Sequence, residues 1–446
     1  MSTNPYWIDG FSKLSKTEKR AWVAEQYGTD ADELILKWRG FDHANTEVQD
    51  RLDHFAENTI ANYVLPLGIA PNVVVNGRTY AVPMAIEESS VVAAASAAAK
   101  YWGRRGGFRA EVIGTTKVGQ LFFEWGGEAT QLRAQLSNLS RELKAASATT
   151  TANMERRGGG VLDIELVDFA ELPGTYELRG TFDTCDSMGA NFINTVLEDW
   201  GRALPAAFAK TGLTDTNGRS DETTPEVVMA ILSNYTPNCL VRAEVSCRVE
   251  DMGEGAGGFT AKQLARRFHR AVQLARVSPY RATTHNKGIF NGIDAVVIAT
   301  GNDFRAVEAC AHAYAGRDGQ YRSLSQCTLE GGHFRFWLDV PLALGTVGGL
   351  TRAHPLAATA MEILGNPSAE ELMLVTAATG LAQNFAAVRS LVTTGIQAGH
   401  MRMHLQNILT QLGADGAQRA AATEHFADKA VSVAGVRGWL DRRLKC

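Results

Sequence analysis

Residues 278–303 read SPYRATTHNKGIFNGIDAVVIATGND, one Arg, one Lys, one His and two Asp set among Gly and other small residues. The apolar run Ala295-Val296-Val297-Ile298-Ala299 separates two polar halves. That pattern predicts a buried strand or short core segment between turn-rich loops, where chemistry tends to sit. Arg281 offers a planar fork for a carboxylate, and Lys287 a point charge for an oxygen that gathers negative charge. Asp303, in the turn Thr300-Gly301-Asn302-Asp303, is placed on this reading to pair with Lys287. The plainer alternative is two ordinary turns, HNKG and TGND.

Around this stretch lie 446 residues, enough for two or three domains, with 45% apolar and 21% charged residues as in an ordinary globular protein. A net charge of -4 supplies no basic field and argues against nucleic acid as a partner. The pairs Arg104-Arg105, Arg156-Arg157, Arg266-Arg267 and Arg442-Arg443 read as solvated faces or helix ends. Cysteines 185, 239, 247, 310, 327 and 446 form no CxxC pair, so reduced thiols of a cytoplasmic protein are expected, and no metal. The N-terminus lacks the apolar core of a signal peptide, and no uninterrupted apolar run is long enough to cross a bilayer. A soluble, cytoplasmic protein is the expectation.

In chain order, residues 1–62 are polar and predicted helical, with Ser15-Lys16-Thr17-Glu18 as a helix start. Asn76-Gly77 between two β-rich runs, 73–75 and 78–82, is a hairpin signature. Glu87-Glu88 then precede a helix rich in small residues, read as central and closely packed, with Ser89 or Ser90 as its cap. One carboxylate serves the helix dipole, and the other is a candidate catalytic acid. Residues 113–233 alternate strand-like and helical runs, as in a second, α+β domain. Within it, DTCDSMGAN (183–191) feeds a helix whose free N–H groups suit a pyrophosphate. Gly253-Glu254-Gly255-Ala256-Gly257-Gly258 also satisfies GxGxxG, but Glu250, Asp251 and Glu254 would repel a pyrophosphate. It reads as a connection back to the first domain. Beyond Phe304 come a helix, a strand near 334–340, an Ala-rich helix over 370–385 and a polar helical tail from Gly399 that contains His400 and His404.

Together these stretches resemble the 3-hydroxy-3-methylglutaryl-coenzyme A (HMG-CoA) reductase family, specifically its class II enzymes of bacteria and archaea. The resemblance runs from about Glu57 past His404. It is carried by AENTIANYVLPLGIAPNVVVNGRTYAVPMAIEESSVVAAAS, DTCDSMGANFINT, ILSN, SPYRATTHNKGIFNGIDAVVIATGNDFRAVEA, GGLTRAHPLA, GLAQNFAAVRSL and GIQAGHM. It implies reduction of a thioester, through mevaldehyde, to mevalonate and coenzyme A with two nicotinamide hydrides. The implied α+β architecture has a large substrate-binding domain around a central buried helix (1–112 and 234–395), an inserted small ferredoxin-like cofactor domain (113–233) and a C-terminal helical flap (396–446).

The resemblance places the catalytic roles on Glu88, Lys287, Asp303 and His400. It places Ser90, Asn234, Arg281, Thr284 and Asn291 around the substrate, and Asp186, Met188, Gly189 and Asn191 toward the dinucleotide. AENTIA matches the family's dimer motif, which implies an obligate homodimer with shared active sites. Two departures are small: Ser89 stands where the family has Pro, and Ala61 where its dimer motif has Gly. A third bears on the cofactor. NADH-using relatives carry an Asp about seven residues before the Gly158-Gly159-Gly160 triplet, where a carboxylate would repel a 2′-phosphate. That count falls on Thr151, near Lys144, Arg156 and Arg157, so NADPH is favoured, with NADH possible. Mevalonate oxidation with NAD, a non-catalytic coenzyme A or nucleotide binder, and a simple dehydrogenase using GEGAGG stand as alternatives.

Overall fold

Ser15 caps the first helix, α1 (Lys16–Tyr27), as its spacing to Glu18 predicts. The Ser15 hydroxyl accepts from the Glu18 N–H at 3.3 Å, and the Glu18 carboxylate accepts from the Ser15 N–H at 2.8 Å. The computed structural model describes residues 4, 6–213, 224–253, 258–393, 395, 405–426, 429 and 431–443. Helices α2 (Ala31–Arg39) and α3 (Thr46–Asp53) complete an N-terminal helical layer. Buried Arg20 pins it, donating to both oxygens of Asp42 and to the Ile60 carbonyl.

Strands β1 (Leu67–Val75) and β2 (Arg78–Ala85) form the expected hairpin. Asn76 and Gly77 both adopt positive φ, 50° and 84°, the type I′ geometry that matches strand twist. Val73, Val82 and Met84 share a core with Ala95, Ala99 and Trp102 of α4 (Ser89–Gly103). Ala93 and Ala97 are exposed, so the small residues of α4 mark one packed face rather than burial all round.

After β3 (Arg109–Val112) the chain enters a βαββαβ unit. It comprises β4 (Lys117–Glu124), α5 (Ala129–Ala146), α6 (Ala148–Glu155), β5 (Gly160–Asp168), β6 (Thr175–Asp183), α7 (Ala190–Thr211) and β7 (Glu226–Ser233). Its antiparallel strands lie in the order β5-β6-β4-β7, the ferredoxin-like arrangement. Alternation along β4 turns Leu121 and Phe123 inward, into one core with Leu139 and Leu143 of α5 and Leu197, Trp200 and Phe208 of α7. The unit is inserted between paired strands: β3 is antiparallel to β8 (Leu240–Arg248). With β9 (Ser325–Glu330) and β10 (His333–Pro341) these make a second sheet, order β3-β8-β10-β9.

Helices α8 (Ala261–Val277), α9 (Pro279–Ala299), α10 (Phe304–Ala315), α11 (Leu350–Ala353), α12 (Pro355–Ile363) and α13 (Ala369–Val392) pack around this sheet and the hairpin. The central buried helix is α13, where Leu372, Ala377, Ala378, Leu381 and Ala382 are all fully buried. It contacts α4, α8, α9 and β8.

One expectation is overturned. Residues 295–299 are not a strand between loops, because the whole stretch from Pro279 to Ala299 is the helix α9. Ser278 caps it by accepting from the Arg281 N–H at 3.3 Å, and Pro279 occupies a first-turn position that needs no N–H. HNKG is therefore helical. TGND is a turn, with Gly301 at φ 69° closing α9 and Asp303 opening α10. A short Val/Ile run bounded by turn-formers cannot be told from buried helix by periodicity. The crossing of α9 and α13 also demands glycine. A Cβ on Gly292 would lie 2.8 Å from Gln383 Cβ, and one on Gly380 2.7 Å from Ile293 Cγ1.

The tail is helical over 405–411, Gly416–His425 and Val433–Arg443, around its own apolar cluster of Leu409, Phe426, Val436 and Trp439. The middle of GEGAGG, 254–257, lies outside the described residues; β8 precedes it and α8 follows it as read. No described helix is long and apolar enough to cross a membrane.

Candidate active site

The outer stripe of α9 carries Thr284, Lys287 and Asn291 at three- and four-residue spacing, with Arg281 a turn earlier. Thr284 and Lys287 are exposed; Arg281 and Asn291 are half-buried. Burial draws the Arg281 guanidinium pKa down, and no carboxylate among the described residues pairs with it, which suits an anion clamp. Lys287 likewise has no ion pair or hydrogen bond among the described residues. Further along the stripe, burial and the neighbouring Glu308 push the Asp294 carboxyl well above the usual range.

The inner face of the same helix is held by polar contacts. His285 Nε2 meets Ser325 Oγ at 2.6 Å, and Ser325 donates to Asn384 Oδ1 at 2.8 Å. Asn286 donates to the Arg322 carbonyl at 2.9 Å and accepts from the Leu324 N–H at 3.0 Å. Burial, aided by the Arg281 charge, lowers the His285 pKa to about 3, so the imidazole is neutral. These bonds tie the segment bearing Lys287 to β9 and α13.

The expected Lys287–Asp303 pair is not formed. Asp303 is the N-cap of α10, and its Oδ1 accepts from the Arg305 N–H at 3.1 Å and the Ala306 N–H at 3.2 Å. The Arg305 guanidinium takes the same carboxylate at 3.2 Å. Burial raises the carboxyl pKa, but the Arg305 side chain and the two N–H groups outweigh it and hold the value below the ordinary Asp range. Capping geometry turns the group toward its own helix.

Glu88, not a serine, is the N-cap residue of α4, and its side chain makes no capping bond. Instead the Ser90 hydroxyl donates to Glu88 Oε1, linking a candidate acid to a candidate substrate residue. Glu87 is exposed and Glu88 half-buried. Asn234 sits exposed in the loop between β7 and β8. No bond joins Glu88, Lys287 and Asp303 to one another within this chain's described residues. His400 and His404 lie outside the described residues.

The turn over residues 183–189 is drawn against the Asp303 turn by a third loop. Asn302 Oδ1 accepts from the Gly345 N–H at 2.8 Å, and the Thr346 N–H donates to the Asp186 carbonyl at 2.8 Å. A Cβ on Gly345 would lie 2.4 Å from Met188 N, so only glycine permits this approach. Asp186 Oδ1 accepts from the Ala369 N–H at 2.7 Å, fastening the turn to the start of α13. Asp186 and Asn191 are exposed, Met188 half-buried and Gly189 buried at φ 94° as the N-cap of α7.

Thr151 does not fit its expected role. It is 2% exposed, with its hydroxyl donating to the Ala148 carbonyl at 3.3 Å, because α6 turns that face into the protein. Exposed Arg156 and Arg157 lie beside the Gly158–Gly160 turn. The Arg157 carbonyl accepts from the Cys185 thiol at 3.3 Å, and a Cβ on Gly159 would meet the Asp183 carbonyl at 2.5 Å. A separate cavity of about 420 Å³, lined by Asp50, Arg51, His54, Phe55 and Arg352, includes none of the predicted site residues.

A family model described as hydroxymethylglutaryl-coenzyme A reductase matches residues 15–405. The chain belongs to that family. It is 37% identical over 412 residues to the HMG-CoA reductase of Archaeoglobus fulgidus, covering 92% of this chain and 88% of that protein. A structure of the HMG-CoA reductase of Streptococcus pneumoniae superposes with a TM-score of 0.69 at 33% identity, covering 97% of this chain and 99% of that one. A structure of the class II enzyme from the same organism, bound to NADPH in open conformations, gives 0.68 at 34% identity over 86% and 99%. As a member of the HMG-CoA reductase family, the chain is an oxidoreductase with the mixed, antiparallel-sheet α+β fold of those class II structures.

Several site-building residues escaped the sequence reading. Asn302, Gly345 and Thr346 join two turns far apart in the chain, and no local pattern signals a bond of that kind. His285 and Asn286 look like turn residues until α9 is recognised as a helix. Lys117 could have been found by parity, because it shares the inward face of β4 with Leu121 and Phe123.

Proposed function

We propose that this chain reduces the thioester of HMG-CoA to mevalonate and coenzyme A in two steps, with NADPH as reductant. The observation that carries the proposal is the convergence of the Asp186–Gly189 turn, the Asn302–Asp303 turn and the Gly345–Thr346 loop in a chain of this family. The first N–H groups of α7, the buried Gly189 and the exposed Arg156 and Arg157 fit a dinucleotide carrying an extra phosphate. NADPH, when bound there, supplies the hydrides.

As the thioester carbonyl is reduced, charge gathers on its oxygen, and the Lys287 ammonium would stabilise it. Asp303 would orient Lys287 once its carboxylate leaves the 78% exposed Arg305 side chain. His400 would return a proton to the departing thiolate, and Glu88 would protonate the aldehyde oxygen in the second reduction. Arg281 would clamp the free carboxylate of the substrate, with Ser90, Thr284, Asn291 and Asn234 around it.

The working unit on this reading is a homodimer built around residues 56–61, where the neighbouring Tyr63 is 92% exposed and Tyr280 on α9 90% exposed. The division at 112/113, 233/234 and 395/396, the last part acting as a flap, and a cytoplasmic location complete it. The test is oxidation of reduced coenzyme, followed by absorbance, when HMG-CoA is added. NADPH should be turned over with a higher kcat/KM than NADH. Turnover with neither would overturn the reading, and preference for NADH would overturn the cofactor assignment.

A further inference from the structure

The turn over residues 183–189 rests on a buried cation to which the roles above give no part. Lys117 opens β4 on its inward face and is 4% exposed. Its ammonium donates to Thr184 Oγ1 at 2.7 Å and makes no ion pair among the described residues. Thr184, itself fully buried, donates to the Ser187 carbonyl at 2.6 Å, and its side chain lies directly beneath Gly189, where a Cβ would approach its methyl group to 2.5 Å. The ammonium is thus one hydroxyl away from the backbone that leads into α7.

A charge removed from water with one neutral partner is costly, and lysines are seldom fully buried without a counter-charge. The nearby carboxylates are taken. Asp183 accepts from the Cys185 N–H at 2.8 Å and the Thr115 hydroxyl at 3.0 Å, while Asp186 accepts from Ala369. Without Lys117, an anion approaching the start of α7 would face two carboxylates, with the partial positive charge of the helix and the exposed Arg156 and Arg157 at its edge as the remaining attraction. A buried, immobile ammonium offsets one of them.

We propose that Lys117 is a positioning residue for the dinucleotide: it braces Thr184 beneath the turn and offsets Asp183 and Asp186, so that the start of α7 accepts a pyrophosphate. This rests on the cofactor reading of that turn given above. The experiment compares wild type, Lys117→Met and Lys117→Gln by kcat, by KM for NADPH and for HMG-CoA, and by Tm.

Lys117→Met should raise the NADPH KM by about tenfold, the effect of one charge felt across a partly buried site. The HMG-CoA KM should stay put, and Tm should hold or rise because a buried charge is gone. Lys117→Gln keeps a donor for Thr184 without the charge, so it should weaken NADPH too, by a smaller factor. A Lys117→Gln enzyme with the wild-type NADPH KM refutes the charge role. Lys117→Met with a lowered Tm and an unchanged NADPH KM marks a merely structural lysine and overturns the proposal. Wild type that turns over no NADPH sinks the cofactor reading beneath it; wild-type turnover with unaltered variants sinks only the role of Lys117.

Discussion

Asp303 is seen in one arrangement and proposed for a second. It caps α10 through the Arg305 and Ala306 N–H groups, while the proposed catalytic role would turn it toward Lys287. The two roles separate by substitution. Asp303→Ala should lower stability by about 1 kcal/mol through loss of the cap, read as a fall in Tm. Asp303→Asn still caps, so its Tm should stay near wild type while turnover collapses for want of the negative charge. A normal rate in Asp303→Asn would remove Asp303 from the mechanism. At this scale residue type suggests the chemistry, as for Arg281, Lys287 and Glu88, and the structure adds that Arg281 is half-buried and Lys287 exposed on one stripe of α9. The sequence misled at Thr151, because counting back from a glycine triplet says nothing of which face of α6 that position occupies.

The decisive element is α9, and its sequence conceals it. Helical spacing of Thr284, Lys287 and Asn291 is plain once known, yet Pro279, Gly288 and Gly292 read as loop punctuation and Val296-Val297-Ile298 as strand. Pro279 is a helix starter and Gly292 a contact glycine against α13, meanings that only packing reveals. The hairpin at Asn76-Gly77 and the start of α1 were legible because their signals are local. The seam behind α9 predicts a pH dependence. An unfolded chain protonates His285 near pH 6.5, whereas the folded one resists until about 3. The unfolded state thus binds more protons in that window, and stability falls as pH falls through it, by at most about 1.4 kcal/mol per unit. Between pH 6.5 and 5, wild-type Tm should drop more steeply than that of His285→Gln. Parallel curves would mean that His285 is protonated in the fold.

Over the whole molecule, a ferredoxin-like unit inserted between β3 and β8 lays its 183–189 turn against loops of the helical part, held by the Asn302–Gly345 and Thr346–Asp186 bonds. Alternation and composition made the α+β texture legible, but the pairing of β3 with β8 across the insertion is non-local and left no mark on the sequence. Within one chain's described residues Glu88, Lys287 and Asp303 are not bonded to each other, and the proposed working unit is a homodimer. Light scattering should therefore give a mass of about twice the 48.2 kDa chain, and a monomer at assay concentration with full activity would contradict this. The proposed chemistry depends on Lys287 as the charge that meets the oxygen of the carbonyl being reduced. Its most direct test is the HMG-CoA-dependent oxidation of NADPH by wild type and Lys287→Ala at equal fold stability. A fall in kcat of about a hundredfold or more is predicted; an unchanged kcat would contradict it.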